Sequence, residues 1–169
     1  NAMNFFDGMD GLATGLGATI AFFLGIVAFQ TGQPFLGWVA VAMMGACFGF
    51  LPFNFKFKGS GDIFLGDAGS TVIGFVLACL AVYGDWATAN PVVALVSPLL
   101  IFWILIFDMV HISIERILTG KVYNFKQWID YVGKDHLHHR MAYALGTNRR
   151  SVLFIFLMNV CLGISAISL

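Results

Sequence analysis

Five apolar stretches, each near the length that crosses a bilayer, constrain this chain more than anything else in it. They run roughly from Leu12 to Gln30, Phe35 to Leu51, Ser70 to Tyr83, Val92 to Phe107 and Val152 to Leu169. A helix needs about 20 apolar residues to span the hydrocarbon core, where every backbone polar group must find a partner within the protein. The third stretch is short and approaches that length if it starts at Asp67. With 59% hydrophobic residues, 18 phenylalanines and only 11% charged residues, the soluble globular classes are excluded. The predicted fold is all-α: a polytopic membrane helix bundle of about five transmembrane helices. The connections are too short to bury a core of their own, so no soluble domain is expected.

Five spans force the connecting segments to alternate sides, and the charges test this. Lys56 and Lys58 fall in the second connection; Arg116, Lys121, Lys126, Lys134, Arg140, Arg149 and Arg150 fall in the fourth. The other two connections contain no Lys or Arg, so all nine cations lie on one face, which the positive-inside rule makes cytoplasmic. That face also collects Asp7, Asp10, Asp62, Asp67, Asp108, Glu115, Asp130, Asp135 and all four histidines, leaving only Asp85 opposite. Orientation alone needs cations but has no use for carboxylates and imidazoles, so their gathering points to chemistry. Cys47, Cys79 and Cys161 each sit in an apolar run and suggest neither disulfides nor a metal site.

Four clusters on this face are candidates. In Asn1 to Ala13, Asp7 and Asp10 are three apart and share a helical face if this is the first turn of the first span. Carboxylates so placed repel unless a cation sits between them or one is protonated; solvated capping aspartates are the bland alternative. In Gly61 to Thr71, a Gly66–Gly69 turn precedes Ser70 or Thr71 as helix N-cap, a setting that suits a phosphate and its magnesium ion, with Asp67 as metal ligand. An ordinary capped helix is the other reading. In Asp108 to Gly120, an acid at membrane depth pairs with Arg116 or with a ligand's cation, or is simply solvated at the interface, and His111 is an interface residue.

Phe125, Trp128, Ile129 and Val132 then fall at i, i+3, i+4 and i+7, predicting a short interfacial helix with Lys126 and Asp130 towards water. It would hold the loop Gly133 to Met141 near the bilayer. There His136, His138 and His139 lie beside Lys134 and Arg140. Adjacent imidazoles make an awkward zinc set, whereas N–H donors beside cations suit a diphosphate; an incidental basic loop is the third reading. The whole face points to an enzyme that joins a soluble phosphorylated compound to a membrane lipid. A transporter would need polar residues at mid-span, where the spans have almost none. A metalloprotease built on the histidine loop and Asp135 lacks a spaced ligand set, and a catalytically dead scaffold has no use for intact acids.

Asn1 to Ala13 reads Asn-x-x-Asn-x-x-Asp-Gly-x-Asp-Gly-Leu-Ala, and Ile63 to Ser70 reads Ile-Phe-Leu-Gly-Asp-x-Gly-Ser. Pro98, Asp108, Arg116 and Gly120 follow in order, and His136 to Arg140 reads His-x-His-His-Arg. At these motifs the chain resembles the polyprenyl-phosphate N-acetylhexosamine-1-phosphate transferases, which start peptidoglycan, teichoic acid, O-antigen and related polymers. The resemblance implies that Asp67 holds Mg²⁺, with Mn²⁺ as a substitute, and that Asp7 and Asp10 join it as catalytic carboxylates. It implies that Asn4, Arg116, His136, His138, His139 and Arg140 bind the UDP-sugar.

The reaction so implied sends a lipid phosphate oxygen against the sugar-proximal phosphorus of the UDP-sugar, releasing UMP and initiating a cell-envelope polysaccharide. The histidine motif is more similar to members using UDP-N-acetylglucosamine than to those using UDP-MurNAc-pentapeptide, and undecaprenyl phosphate is the acceptor implied. A multi-pass protein of the bacterial inner membrane with a cytoplasmic site follows, with no nucleic-acid partner and with a homodimer allowed. The family has further spans and an adjacent aspartate pair upstream of the first motif. Residues 1–169 are therefore read as the C-terminal half of one transferase domain, expected to be inactive alone. Two departures are local: Gly133 stands where the family often has Asp, leaving that contact absent or to Asp130 or Asp135, and the connection from Lys56 to Asp62 is long.

Overall fold

A computed structural model describes residues 2–87, 90–124, 127, 133 and 135–169. Among the described residues there are eight helices and no strands: α1 (Ala2–Phe5), α2 (Leu12–Gln30), α3 (Pro34–Asn54), α4 (Gly66–Tyr83), α5 (Pro91–Ile101), α6 (Trp103–Leu118), α7 (Leu137–Leu145) and α8 (Asn148–Ile167). Apart from Gln127, the predicted interfacial helix from Phe125 to Val132 lies outside the described residues, as do Lys134 and Asn1. Helices α2, α3, α4 and α8 are each long and apolar enough to cross a membrane, and α5 with α6 make a fifth crossing in two pieces. The architecture is the polytopic helix bundle expected.

Local chemistry sets the helix boundaries. Pro34 opens α3, where its missing N–H costs nothing. Asn90 caps α5, its Oδ1 accepting from Val92 and Val93 N at 2.9 and 3.4 Å, and Thr147 caps α8 by accepting from Arg150 N. Two boundaries differ from expectation. The fourth stretch is not one straight span ending at Phe107: it bends by 76° at Phe102 and α6 continues to Leu118. Pro98 lacks the N–H that would bond the Ala94 carbonyl, which weakens the helix one turn before the break. Helix α4 begins at Gly66 rather than at Ser70, and Ser70 is not its cap; its Oγ instead donates back to Gly66 O at 3.0 Å. The polar first turn of α4 is invisible to a hydrophobicity count.

The alternation of connections is visible in their bonds. At one end of the bundle, Gln33 after α2 exchanges two hydrogen bonds with the Asp85 backbone after α4, at 2.6 and 2.8 Å. At the other end, Asn54 at the end of α3 accepts from Gly11 N and Thr14 Oγ1 at the start of α2, and Asn4 reaches Asp67 on α4. The site candidates all gather at this second end.

Helix α2 is the buried centre, packed against α3, α4 and α8. Gly15 lies under the Phe156 ring, Thr19 Oγ1 accepts from Asn159 Nδ2 at 2.9 Å, and Gly163 lies under the Phe23 ring. The partners ascend together along both helices, so α2 and α8 run parallel. Thr19 and Asn159 correct the expectation of almost no polar residues at mid-span: they form a bond between helices, with the Thr19 hydroxyl also donating to its own helix. A Cβ on Gly163 would meet Phe23 at 2.1 Å. Gly163→Leu is therefore expected to destabilise the bundle by about 1–3 kcal/mol, and Phe23→Ala to relieve most of that loss in the double variant, as read by thermal unfolding in detergent.

Candidate active site

The turn between α1 and α2 carries two of the three expected carboxylates, but not on a helical face. Helix α2 starts at Leu12, and Gly11 precedes it with φ 75°, a conformation only glycine adopts freely. Within that turn Asp7 points inward and is buried, while Asp10 is exposed and accepts from Gly61 N at 2.8 Å. Gly66, at φ 73°, aims its amide at the Asp7 carboxylate from the start of α4. Burial pushes the Asp7 carboxyl up to about 6; the Gly66 N–H opposes this and the nearby Asp67 charge adds to it. Asp7 Oδ2 is buried without a hydrogen-bond partner among the described residues. Asn4 Nδ2 donates to Asp67 Oδ1 at 2.8 Å and to Ser70 Oγ at 3.1 Å, tying the first motif to the second.

Asn54 holds the frame. Its Oδ1 accepts from Gly11 N and Thr14 Oγ1 at 3.1 and 2.8 Å, and its Nδ2 donates to Ile63 O at 3.0 Å. One buried amide thus fixes the Asp10 turn and the approach to Asp67 relative to each other. The connection between α3 and α4 is secured by a Lys56–Asp62 ion pair and by Arg149 Nη2, which donates to Gly59 O at 2.6 Å from the start of α8. Beneath it lies a cavity of about 280 Å³ whose walls include Gly8, Asp10, Phe55, Lys56, Ser60 and Arg149.

The histidine loop docks on α6. Asp108 is 1% exposed and pairs with His136 Nδ1 at 2.8 Å, not with Arg116 as one reading of the sequence had it. Arg116, also buried, donates from Nε and Nη2 to the two oxygens of Asp135 at 2.9 and 2.8 Å. This hydrogen-bonded guanidinium holds the Asp135 carboxyl down at about 2. Arg140 donates to Glu115 and, from Nε, to Asp135 O at 2.9 Å. His111 lies 3.9 Å from Glu115 on the outer side of α6.

Rings join the loop to the first motif. Phe5 stacks on His136 with centroids 4.9 Å apart, and Phe6 lies 5.5 Å from His138. His138 is 1% exposed, both its ring nitrogens lack a hydrogen-bond partner among the described residues, and its Nε2 sits 3.0 Å from where a Cβ on Gly8 would be. Burial, reinforced by the neighbouring imidazoles, lowers its pKa to about 4, so the ring is neutral at physiological pH. His138 therefore packs inward; His139, its neighbour at 4.2 Å, lies close to the same Gly8 turn.

With four motifs brought to one end of a membrane bundle, comparison with known proteins becomes informative. The family model described as glycosyl transferase family 4 matches residues 1–85, half of the chain. The chain belongs to glycosyl transferase family 4. It is 35% identical, over its whole length, to the probable undecaprenyl-phosphate N-acetylglucosaminyl 1-phosphate transferase of Bacillus subtilis, covering 44% of that protein. It is 35% identical, over 93% of its length, to the decaprenyl-phosphate N-acetylglucosaminephosphotransferase of Mycobacterium tuberculosis, covering 41% of it. A phospho-N-acetylmuramoyl-pentapeptide-transferase of Prochlorococcus marinus is 45% identical over 48% of the chain and 23% of its own length. The chain thus spans less than half the length of these curated relatives. No solved structure matches it.

This stretch of a family 4 transferase hydrogen-bonds Asn4 to Asp67, holds Asp7 close enough to feel the Asp67 charge, and sets His136, His138 and His139 beside the segment Phe5 to Gly8. Asp10 lines the cavity together with Gly8, which His138 and His139 approach. Arg116 and Arg140 are engaged with acids of their own loop and helix. Mg²⁺ takes carboxylate oxygens, commonly one or two together with substrate phosphates. Asp7, with its orphaned buried oxygen, and Asp67, whose charge it feels, fit that requirement. Among the described residues no three His, Cys, Asp or Glu form a metal-holding group. Sequence reasoning missed Asn54, Arg149 and the grip of Asp135. Asn54 is a lone amide at the end of an apolar run, which reads as an ordinary span boundary.

Proposed function

We propose that the full-length protein transfers N-acetylglucosamine 1-phosphate from UDP-GlcNAc to undecaprenyl phosphate, releasing UMP, at the cytoplasmic face of the bacterial inner membrane. One observation carries this: the Asn4–Asp7–Asp67 cluster and the histidine loop meet through Phe5, Phe6 and Gly8 at the bundle end that holds Lys56, Arg116, Arg140 and Arg149. Acids for a divalent cation and bases for a diphosphate are thus side by side at a membrane surface. The donor choice is supported by the N-acetylglucosamine relatives matching at least 93% of the chain, against 48% for the muramoyl-pentapeptide relative.

Asp67, with Asp7 beside it, would hold Mg²⁺ or Mn²⁺; when bound, the ion offsets the charge of the diphosphate. The chain's own residues position the reactants. Asn4 orients the Asp67 carboxylate, and Asp10, Lys56 and Arg149 give the cavity polar walls for the nucleotide. His136, His139 and Arg140 flank the diphosphate. An apolar groove of about 360 Å³, lined in part by Met3, Leu77, Phe102, Leu105 and Met109, adjoins Asn4 and gives a polyprenyl chain a path to the same carboxylates. Phosphoryl transfer asks mainly for such positioning and electrostatics.

The test is transfer of labelled N-acetylglucosamine 1-phosphate from UDP-GlcNAc to undecaprenyl phosphate, in membranes carrying the full-length protein. Asp67→Asn is expected to lower the rate on the order of 10³-fold, and chelation to abolish it. Transfer from UDP-MurNAc-pentapeptide in place of UDP-GlcNAc would overturn the donor. No transfer from either donor by folded protein would leave a scaffold role instead.

A further inference from the structure

We propose that Asp108 is a positioning residue for the transfer: it locks the His136 ring with Nδ1 turned inward, leaving Nε2 as the atom that meets the UDP-sugar. This rests on the histidine loop being part of the donor site. Asp108 lies on α6, beyond the bend, where a buried carboxylate is costly unless its oxygens are engaged. Both are. Oδ2 accepts from His136 Nδ1 at 2.8 Å, and Oδ1 accepts from Leu137 N at 2.6 Å. The two donors are the ring and the adjoining backbone amide at the start of α7, so one carboxylate fixes where the loop begins and how its first ring is turned.

The ring is held across its plane as well. Phe5 stacks on it at 4.9 Å and His138 lies 5.9 Å away, nearly parallel. Phe5 follows Asn4 directly, which keys the same imidazole to the carboxylate cluster. On either side, Arg116–Asp135 and Glu115–Arg140 tie the loop to α6 again, so the loop cannot shift without breaking charged contacts. His136 Nε2, by contrast, makes no hydrogen bond to any described residue, and it is the ring's remaining polar atom.

Only a carboxylate can do this. Asn at position 108 has one acceptor, which the fixed Leu137 N–H would take; its NH₂ would then face Nδ1 and force the neutral ring's proton onto Nε2. Asp108→Asn thus reverses the tautomer with little change of shape, much as a second-layer partner sets the orientation of a metal-bound histidine.

The experiment is steady-state transfer between UDP-GlcNAc and undecaprenyl phosphate by the full-length protein, comparing wild type, Asp108→Asn, His136→Gln and the double variant. Asp108→Asn is expected to lower kcat about 10–100-fold with KM for the lipid unchanged. In the His136→Gln background it is expected to cost no more than about twofold, because its effect passes through the ring. Fully additive losses, an unaffected kcat in either single variant, or failure of Asp108→Asn to accumulate folded where His136→Gln does, would each reduce Asp108 to a packing role. A wild-type protein inactive with UDP-GlcNAc would instead defeat the donor reading.

Discussion

Asp7→Asn is expected to make the ligand-free protein more stable at pH 8 and inactive in transfer. In the folded chain Asp7 is buried near Asp67, and its carboxyl titrates at about 6 instead of 3.8. The folded state therefore holds its proton more tightly than the unfolded state does. Between these two values the folded form keeps the proton that the unfolded form has lost, so wild-type stability falls as pH rises through the window. Above about 6 the full cost of the buried charge is present, about 3 kcal/mol from the width of the shift. Asn carries no charge, still accepts from Gly66 N, and offers an amide where the orphaned oxygen now lies. Thermal unfolding in detergent should show a difference between variant and wild type that is absent near pH 4, grows to about pH 6 and is flat above it. Equal melting temperatures at all pH values would mean that Asp7 is not a charge held against its surroundings. Simultaneous gain in stability and loss of transfer is what a site that stores unfavourable electrostatics for a ligand should give.

The crossing helices were legible because membrane insertion depends on one averaged property. Leu12 to Gln30 was read to the residue, and the placement of Lys and Arg correctly separated the end holding Asn54, Asp67 and Arg149 from the end holding Gln33 and Asp85. The motifs were legible as well, since Asn4, Asp7 and Asp67 converge through turns that Gly11 and Gly66 make possible. What escaped was direction and partnership. Asp7 and Asp10 looked like neighbours on one helical face, yet a turn before α2 buries one and exposes the other. Asp108 and Arg116 are two turns apart on α6 and invited pairing with each other; instead each takes a partner from the loop, because the part of α6 between them lies against residues 135–140. No local pattern encodes a contact between positions so far apart in sequence.

Arg116→Met is expected to cost about 3–5 kcal/mol, the usual penalty for leaving one member of a buried ion pair alone. Its partner Asp135 is held at about 2 by the Arg116 hydrogen bonds, below its ordinary 3.8. A lowered carboxyl contributes stability above its unfolded value and loses it as pH falls through the folded one. Wild type should therefore lose about 2 kcal/mol between pH 4 and pH 2, while Arg116→Met, having no such pair, should lose little there. Adding Asp135→Leu to Arg116→Met removes the stranded charge and should restore most of the melting temperature at pH 7. If the double variant melts as low as the single, the arginine works through its packing and its other contacts, not through Asp135. Transfer should not recover with stability. The pair anchors the residue just before His136, so an apolar replacement can fill the space but cannot hold the loop's register on α6. Stability and activity should therefore part company in the double variant.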